Sequence, residues 1–250
     1  MTTIRLLSYN IRALRDDNEA LYRVIRSIAP DVVCIQEAPR FLRWRSRCAE
    51  IARRSGLVMV TGGRASGANL ILSTLAVDVV ATRQVGFSRD RGLHSRGIAV
   101  AVLRRGEATF AVAGTHLDLV DEPRLRHVGE LHSVLDSFVP TGVASVVAGD
   151  MNCRPGSPVW SALAARGTDA HVAAGTGDGF TFRSTAPFER IDGVFVEAPI
   201  RVVSAQVIAS PDTPLATDHC PLLVELEVPS EPPAEPSERA AEQSERAAEH

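Results

Sequence analysis

A short apolar run that ends in two polar residues, Asp150 and Asn152, is the most informative stretch of the sequence. The run, residues 146–148, consists of small and β-branched side chains, which predicts a strand buried on both faces. Side chains at positions i and i+2 of an extended segment point to the same side. We therefore expect a carboxylate and a carboxamide to leave the end of a rigid strand together, directed at one small volume.

Polar residues also stand at the ends of other apolar runs. They are Asn10 in Ser-Tyr-Asn, Glu37 in Ile-Gln-Glu, His116 in Thr-His-Leu-Asp, Asp192 in Arg-Ile-Asp, and Asp218 and His219 in Thr-Asp-His. Each one alone has an ordinary structural interpretation, as a turn residue, a helix cap, a solvated carboxylate or a hydrogen-bonded histidine. Their recurrence beside apolar strands instead favours one shared site to which all of them contribute.

These residue types predict metal-assisted hydrolysis of a phosphoester. Mg²⁺ and Mn²⁺ prefer carboxylate, carboxamide and water oxygens, and Glu37 and Asn10 fit that role. Hydrolysis at phosphorus also needs an acceptor for the proton of the attacking water and donors for the developing negative charge. Asp150 is the candidate acceptor, Asn152 a candidate donor, and His219 a candidate cation if an acidic neighbour keeps it protonated.

The hydrophobic pattern predicts the elements that must position these residues. Strands are predicted at 4–11, 31–35, 57–61, 68–73, 76–85, 97–104, 108–115, 143–148, 191–196, 200–208 and 220–228. Helices are predicted at 18–28, 39–54, 123–138 and 155–165, and the inward positions of the second are Leu42, Trp44, Cys48 and Ile51. Strands interleaved with helices predict an α/β fold, a four-layer α/β/β/α sandwich of two mixed β-sheets flanked by helices.

Length and composition predict one large domain with a tail. The chain has 250 residues, 45% of them hydrophobic, which is enough for a single domain over residues 1–228. Residues 229–250 are rich in Pro, Glu and Ala and contain no large apolar side chain. Such a composition cannot bury enough surface to order itself, so we predict a disordered acidic extension.

Other features of the composition concern location and partners. No apolar run approaches the roughly 20 residues of a membrane span, and the N-terminus lacks the pattern of a secretion signal, so we expect a cytoplasmic protein. The four cysteines have neither CxxC nor zinc spacing, which predicts free thiols. Nothing in the sequence indicates a protein partner, and we expect a monomer.

Charge is unevenly distributed along the chain, although the net charge is only −3. All 27 basic residues are Arg. Residues 1–105 contain 18 Arg and 8 acidic residues, whereas residues 106–228 contain 7 Arg and 16 acidic residues. This asymmetry suits a metal site beside a phosphate-binding surface. The arginines of 40–54, with Arg83, Arg89, Arg91 and Arg96, either follow a nucleic-acid backbone or form a solvated face.

At its polar strand ends the sequence resembles the endonuclease/exonuclease/phosphatase superfamily. The most specific matches are Gly-Asp-Met-Asn at 149–152 and Asp-His at 218–219, and the resemblance extends from Leu7 to about Leu226. It implies the fold of exonuclease III, pancreatic-type deoxyribonucleases and inositol-polyphosphate 5-phosphatases. It also implies a metal-dependent phosphoesterase that uses water directly, without a covalent enzyme intermediate.

The resemblance implies which residues bind the cation and activate water. Glu37 corresponds to the principal metal ligand, supported by Asn10, and Asp218 to a further carboxylate on the metal side. Asp150 corresponds to the residue that orients or deprotonates the attacking water, with Asn152 beside it.

The resemblance also implies which residues contact the substrate. Asp192 corresponds to the carboxylate that pairs with His219, and His116 stands where the family places a residue in contact with the scissile phosphate. Arg96 and Asn69 match less specific positions near the substrate.

Two departures from the family bear on the substrate. Arg12 stands two residues after Asn10, where nucleases of abasic sites carry an acidic residue, and this disfavours a second metal there. Those nucleases also have Tyr at the position of His116 and aromatic-bearing loops that grip a flipped nucleotide. The connection 169–190 is short and its aromatic residues are Phe180, Phe182 and Phe188. His116 is more similar to the phosphatase and sphingomyelinase-like branches.

The sequence therefore predicts an Mg²⁺- or Mn²⁺-dependent hydrolase of phosphoester bonds and leaves its substrate open. One alternative is a nuclease. The other is a phosphatase or phosphodiesterase of a small molecule, of the inositol phosphate or phospholipid type. A non-catalytic binding module is disfavoured because every residue of the predicted site is present.

Overall fold

The computed structural model describes residues 1–230, and the rest of the predicted tail lies outside the described residues. The strands are β1 (Thr2–Asn10), β2 (Val32–Gln36), β3 (Val58–Gly63), β4 (Asn69–Ser73), β5 (Asp78–Gly86), β6 (Gly97–Arg105), β7 (Ala108–His116), β8 (Ser145–Asp150), β9 (Thr168–Asp169), β10 (Asp192–Val196), β11 (Arg201–Val207) and β12 (Leu222–Val228). The helices are α1 (Asn18–Ile28), α2 (Trp44–Arg54), α3 (Asp121–Phe138), α4 (Pro158–Ala164), α5 (Ala170–Ala174) and α6 (Thr213–Ala216).

The strands form two mixed sheets of six strands each. The first sheet has the order β11-β12-β1-β2-β4-β3, and the second has the order β5-β6-β7-β8-β10-β9. Each sheet contains one parallel pair, β1 with β2 and β7 with β8, between antiparallel neighbours. A helix connects the strands of each pair, α1 in the first sheet and α3 in the second, as a parallel crossover requires.

Three apolar clusters separate the layers of the molecule. The cluster between the sheets includes Leu6 and Val32 from the first sheet and Phe110 from the second. The outer face of the first sheet packs against α1 and α2, and the outer face of the second packs against α3 and α4. This arrangement of helices, sheet, sheet and helices confirms the predicted four-layer sandwich.

Local sequence signals fix where the helices begin. The Asp17 side chain caps α1 by accepting hydrogen bonds from the backbone N–H groups of Glu19 and Ala20 at 2.8 and 3.1 Å. Ser157 caps α4 by accepting the N–H of Trp160 at 3.2 Å, and Pro158 fills the first turn.

The second helix is shorter than predicted. It begins at Trp44 rather than at residue 39, because Arg43 has a left-handed backbone with φ of 58° and no side chain caps the helix. Leu42 was predicted to point inward, and that was wrong because its side chain is 88% exposed. Trp44 packs against the core, and Cys48 and Ile51 are buried as predicted.

Two predictions from composition have structural counterparts. Cys34, Cys48, Cys153 and Cys220 are free thiols. Within residues 1–230, none of the helices combines the length and the apolar character needed to span a bilayer.

Candidate active site

The parallel strand pairs bring the predicted residues to one edge of the sandwich. Asn10 lies in register with Gln36 at the end of the first pair, and His116 lies in register with Asp150 at the end of the second. Strand β10 runs antiparallel to β8 and begins at this edge, where Asp192 pairs with Asp150. The topology therefore gathers residues that are far apart in the sequence.

The side chain of Asn10 joins the two sheets. Its Nδ2 lies 3.0 Å from Asp150 Oδ2 in the second sheet and 3.3 Å from Glu37 Oε1 in the first. Its Oδ1 accepts the backbone N–H of Arg12 at 3.0 Å, so the amide orientation is fixed. Thr217 Oγ1 donates to the backbone carbonyl of Asn10 at 3.0 Å, which anchors this strand end further.

Glu37 and Asn152 both have left-handed backbones. Their φ values are 54° and 51°, in a region that costs a residue other than glycine on the order of 1–3 kcal/mol. The carbonyl of Glu37 accepts the N–H of Ala13 at 3.1 Å, and the N–H of Asn152 donates to Asp150 Oδ1 at 2.9 Å. The surrounding contacts therefore hold both residues in conformations that direct their side chains into the site.

Gly149 allows β8 to lie close to β7 directly before Asp150. A Cβ atom at this position would lie 2.0 Å from the carbonyl oxygen of Thr115, closer than any side chain can be placed. The glycine therefore lets Asp150 stand beside His116, whose Nε2 lies 3.3 Å from Asp150 Oδ2.

His219 is paired with Asp192 and faces Asp150. Its Nδ1 lies 2.9 Å from Asp192 Oδ2, and its Nε2 lies 3.7 Å from Asp150 Oδ2. Burial opposes protonation, but the carboxylates of Asp192, Asp150 and Asp218 outweigh it and raise the pKa of His219 to about 10. The imidazole therefore carries a positive charge at neutral pH.

His116 is neutral although it also faces Asp150. The Nδ2 of Asn152 donates to the carbonyl of Leu117 at 3.0 Å and lies 2.9 Å from His116 Nε2. Burial is the main influence and lowers the pKa of His116 to about 3, despite the opposing charge of Asp150. The two histidines thus differ in charge.

A cleft of about 810 Å³ opens onto these groups. Among the predicted residues, its lining includes Glu37, Arg96, His116, Asp150, Asn152, Asp218 and His219. Asn10 and Asp192 lie behind this surface and reach it through Asp150 and His219. The lining also includes the cationic or basic side chains of Arg15, Arg40, Arg47, His94 and Arg154. The cleft therefore combines an acidic floor with a basic rim.

Arg96 and Asn69, which were predicted to lie near the substrate, have different surroundings. Arg96 lines the cleft, where burial lowers the pKa of its guanidinium while Asp150 and Asp118 oppose that shift. Asn69 is fully buried, does not line the cleft, and donates to the backbone carbonyls of Ser66 and Gly97 at 2.7 and 2.9 Å. Asn69 thus departs from its predicted role, because its amide holds the backbone next to Arg96 instead.

Sequence analysis missed two charged residues that organise the site. Asp118 is buried with its Oδ2 3.9 Å from Arg96 Nε, and the i+2 spacing from His116 was the available signal. Arg124 is buried in α3 and donates to the backbone carbonyls of Asn152 and Leu119. No local motif distinguishes Arg124 from the many other arginines of the chain.

The donor atoms of the site fit a hard divalent cation. The amide of Asn10 lies between the carboxylates of Glu37 and Asp150, so two negative charges from different sheets face one neutral group. Oxygen-rich sites with surplus negative charge are the kind that Mg²⁺ and Mn²⁺ bind. Asp150, Asp192 and His219 also offer ligand atoms within 4.8 Å of one another, but a hydrogen bond already joins two of them.

Comparison with known proteins agrees with the family resemblance of the sequence. The model of the endonuclease/exonuclease/phosphatase family matches residues 7–219. Comparison with curated protein sequences gives no significant match.

Solved structures with this fold include proteins of several kinds. A Bacteroides vulgatus protein described as an endonuclease/exonuclease/phosphatase has 22% identity and a TM-score of 0.76, over 92% of this chain and 100% of its own. A mannosyl-6-phosphatase from Bacteroides thetaiotaomicron has 16% identity and a TM-score of 0.74, over 90% and 99%. TDP2 of D. rerio with a single-strand DNA product has 16% identity and a TM-score of 0.69, over 91% and 100%. At these identities the likeness concerns the fold alone.

Proposed function

The chain belongs to the endonuclease/exonuclease/phosphatase family, and we propose that it hydrolyses a phosphoester by direct attack of water, with a divalent cation. The observation that carries this proposal is the convergence of groups from both sheets on one carboxylate oxygen. Asp150 Oδ2 lies 3.0 Å from Asn10 Nδ2, 3.3 Å from His116 Nε2 and 3.7 Å from His219 Nε2. Members of the family are phosphoesterases that generally require a divalent metal.

Asp150 is proposed to accept the proton of the attacking water. The Asn10 amide and the Asn152 backbone N–H each donate to one of its oxygens, which fixes the orientation of the carboxylate. As the water oxygen bonds to phosphorus, its proton passes to Asp150 and the bond between phosphorus and the leaving oxygen breaks. A positioned base of this kind contributes roughly 10²–10⁴-fold to rate.

His219 and Arg96 are proposed to bind the phosphoryl oxygens. His219 carries a positive charge held in place by Asp192, and its Nε2 side faces Asp150. Arg96 brings a second buried positive charge to the cleft. Preorganised charges in a buried site stabilise the negative charge that develops on these oxygens. His116 and Asn152, joined by a hydrogen bond, complete the wall that the phosphate would contact.

Glu37 and Asp218 are the carboxylates that would hold the cation. Asn10 was predicted to support them as a ligand, but its Oδ1 accepts the N–H of Arg12 and its Nδ2 donates to Glu37, so it would orient that carboxylate instead. Mg²⁺ or Mn²⁺ bound there would neutralise phosphoryl charge as a Lewis acid. Arg12 Nε lies 3.3 Å from Asp218 Oδ2, and this ion pair places a fixed positive charge next to that carboxylate. This ion pair between Arg12 and Asp218 favours a site that binds one cation over a site that binds two.

Asp150→Asn is the direct test. We expect it to lower kcat by at least about 10²-fold toward a simple aryl phosphodiester with Mn²⁺ while the circular dichroism spectrum is unchanged. Asp78→Asn is the matched control, because Asp78 is an exposed carboxylate outside the cleft. Wild-type rates in Asp150→Asn would refute the assignment.

The substrate class needs a wider panel. Both a phosphatase and a DNA-bound protein share the fold, so nuclease and small-molecule phosphatase activities are tested side by side. The panel comprises duplex DNA with and without an abasic site, single-stranded DNA, RNA, inositol phosphates and phospholipids, each with Mg²⁺ and Mn²⁺. Turnover that Asp150→Asn abolishes identifies the substrate.

A further inference from the structure

Large apolar side chains are exposed at the mouth of the cleft. Phe41 is 78% exposed and Leu42 is 88% exposed, in the segment that connects β2 to α2. On another wall of the cleft, Leu119 is 62% exposed and the adjacent Val120 is 47% exposed. Exposed apolar groups rimmed by polar residues mark interaction sites on protein surfaces.

Arginines surround the first of these apolar pairs. Arg40, Arg43, Arg45 and Arg47 flank Phe41 and Leu42, and within residues 1–230 none of the four forms an ion pair with a carboxylate. We call Phe41, Leu42 and these four arginines the cleft-mouth patch. The segment 40–47 contains no acidic residue, so its own charge is positive. The patch is therefore complementary to a partner that is both anionic and apolar.

The patch offers little for nucleic-acid bases to stack on, because Phe41 is the only aromatic residue among its six members. The guanidinium of Arg40 lies 5.3 Å from the centre of that ring. Proteins that bind single strands without sequence preference offer free aromatic faces to the bases. Leu42 is aliphatic and cannot stack. Exposed aliphatic and aromatic side chains ringed by arginines are instead typical of binding to an anionic lipid interface.

We propose that the cleft-mouth patch binds the surface of an anionic phospholipid membrane, and that the substrate is the headgroup of a phospholipid. This substrate class rests on the proposed phosphoesterase function, whereas the membrane contact does not. Phe41 and Leu42 enter the interface between headgroups and acyl chains, and the arginines contact lipid phosphates. Arg40, Arg47 and Phe41 also line the cleft, so a headgroup at this interface is next to Asp150. Hydrolysis consumes one water, breaks one P–O ester bond and releases an alcohol and a phosphomonoester.

Vesicle flotation in the presence of a chelator tests the contact without turnover. We expect wild-type protein to float with vesicles of phosphatidylcholine and phosphatidylglycerol and to remain unbound with phosphatidylcholine alone. Phe41→Ser/Leu42→Ser should lower binding about ten-fold, because the apolar anchors are lost. Leu75→Ser/Val172→Ser is the matched control, since those side chains are 87% and 76% exposed and do not line the cleft. Equal loss in both variants, or no loss in either, would overturn the proposal.

Two further measurements separate this proposal from the proposed function. With Mn²⁺, release of a phosphomonoester or an alcohol from the bound vesicles supports the substrate class. If the protein hydrolyses a soluble aryl phosphodiester but does not float with vesicles, the membrane contact is refuted and the phosphoesterase function is supported. If the protein floats with vesicles but hydrolyses no phosphoester, the phosphoesterase function is refuted and the membrane contact is supported. Binding of single-stranded DNA, lost in Phe41→Ser/Leu42→Ser while vesicles are not bound, assigns the patch to nucleic acid instead.

Discussion

The two parallel strand pairs are built alike but present different chemistry. Each consists of two central strands joined by a helix, and each ends in polar residues at the same edge of the molecule. The pair β1/β2 presents the Asn10 amide and the Glu37 carboxylate, whereas β7/β8 presents His116 and Asp150. The same architecture thus places two different sets of groups opposite each other.

The two strand ends also differ in their access to solvent. All three side chains line the cleft, but Glu37 is half-buried whereas Asp150 and His116 are buried. An accessible carboxylate can exchange a hydrated cation, and a buried carboxylate with fixed donors is suited to a directed proton transfer. We therefore propose a division of labour, with cation binding on the first sheet and proton transfer on the second.

His219→Ala should have the largest effect if the second sheet carries the proton and charge chemistry. We expect kcat to fall by about 10²–10⁴-fold, because the positive charge opposite Asp150 is lost. Steady-state kinetics with a soluble phosphodiester measure this. His132→Ala, at a half-buried histidine outside the cleft, should retain activity. Comparable kcat values for His219→Ala and His132→Ala would contradict the proposed division of roles between the two sheets.

Glu37→Gln should instead change the dependence on metal. Losing a charged oxygen ligand on the first sheet should raise the half-activating Mg²⁺ concentration roughly 10–100-fold. Calorimetry should show a correspondingly larger dissociation constant for Mn²⁺ in the variant, without turnover. Glu50→Gln, at an exposed carboxylate of α2, is the control. An unchanged dependence of activity on Mg²⁺ would show that Glu37 does not bind the cation.

Asp192→Asn should act more weakly, through the charge of His219. The carboxylate raises the pKa of His219, so its loss should bring that pKa down from about 10 toward the ordinary value, as NMR titration in chelator would show. A raised pKa stabilises the fold below pH 6.5, and that contribution disappears as pH rises through about 10. Urea unfolding at pH 6.5 and pH 10 should therefore show a smaller loss of stability in Asp192→Asn than in wild-type protein. An equal loss of stability in both proteins would contradict the pairing of Asp192 with His219.

Much of the fold could be predicted because its signals are local. The stripe of apolar residues in α1 and its Asp17 cap define that helix in the sequence itself. The start of α2 could not be predicted, because the left-handed conformation of Arg43 depends on how the chain leaves β2. The short elements β9, α5 and α6 are too brief to show a period.

The site was predictable in its residue types but not in its contacts. Polar residues after apolar runs indicate Asp150 and Glu37, yet only the packing of two sheets shows that Asn10 contacts both. Asn69 illustrates the limit, since its position near the site is evident while its burial is a tertiary property. Arg124 was missed because hydrogen bonds to backbone carbonyls leave no trace in sequence.

The hydrogen bond from Asn10 to Asp150 crosses from one layer of the sandwich to the other. Activity then depends on the alignment of two sheets, which the apolar cluster between them also holds together. A slide of about an ångström between the sheets would exceed the tolerance of a hydrogen bond, whereas the helices on their outer faces would keep their own apolar clusters. We therefore expect mild heating or a low concentration of denaturant to abolish activity before the secondary structure unfolds.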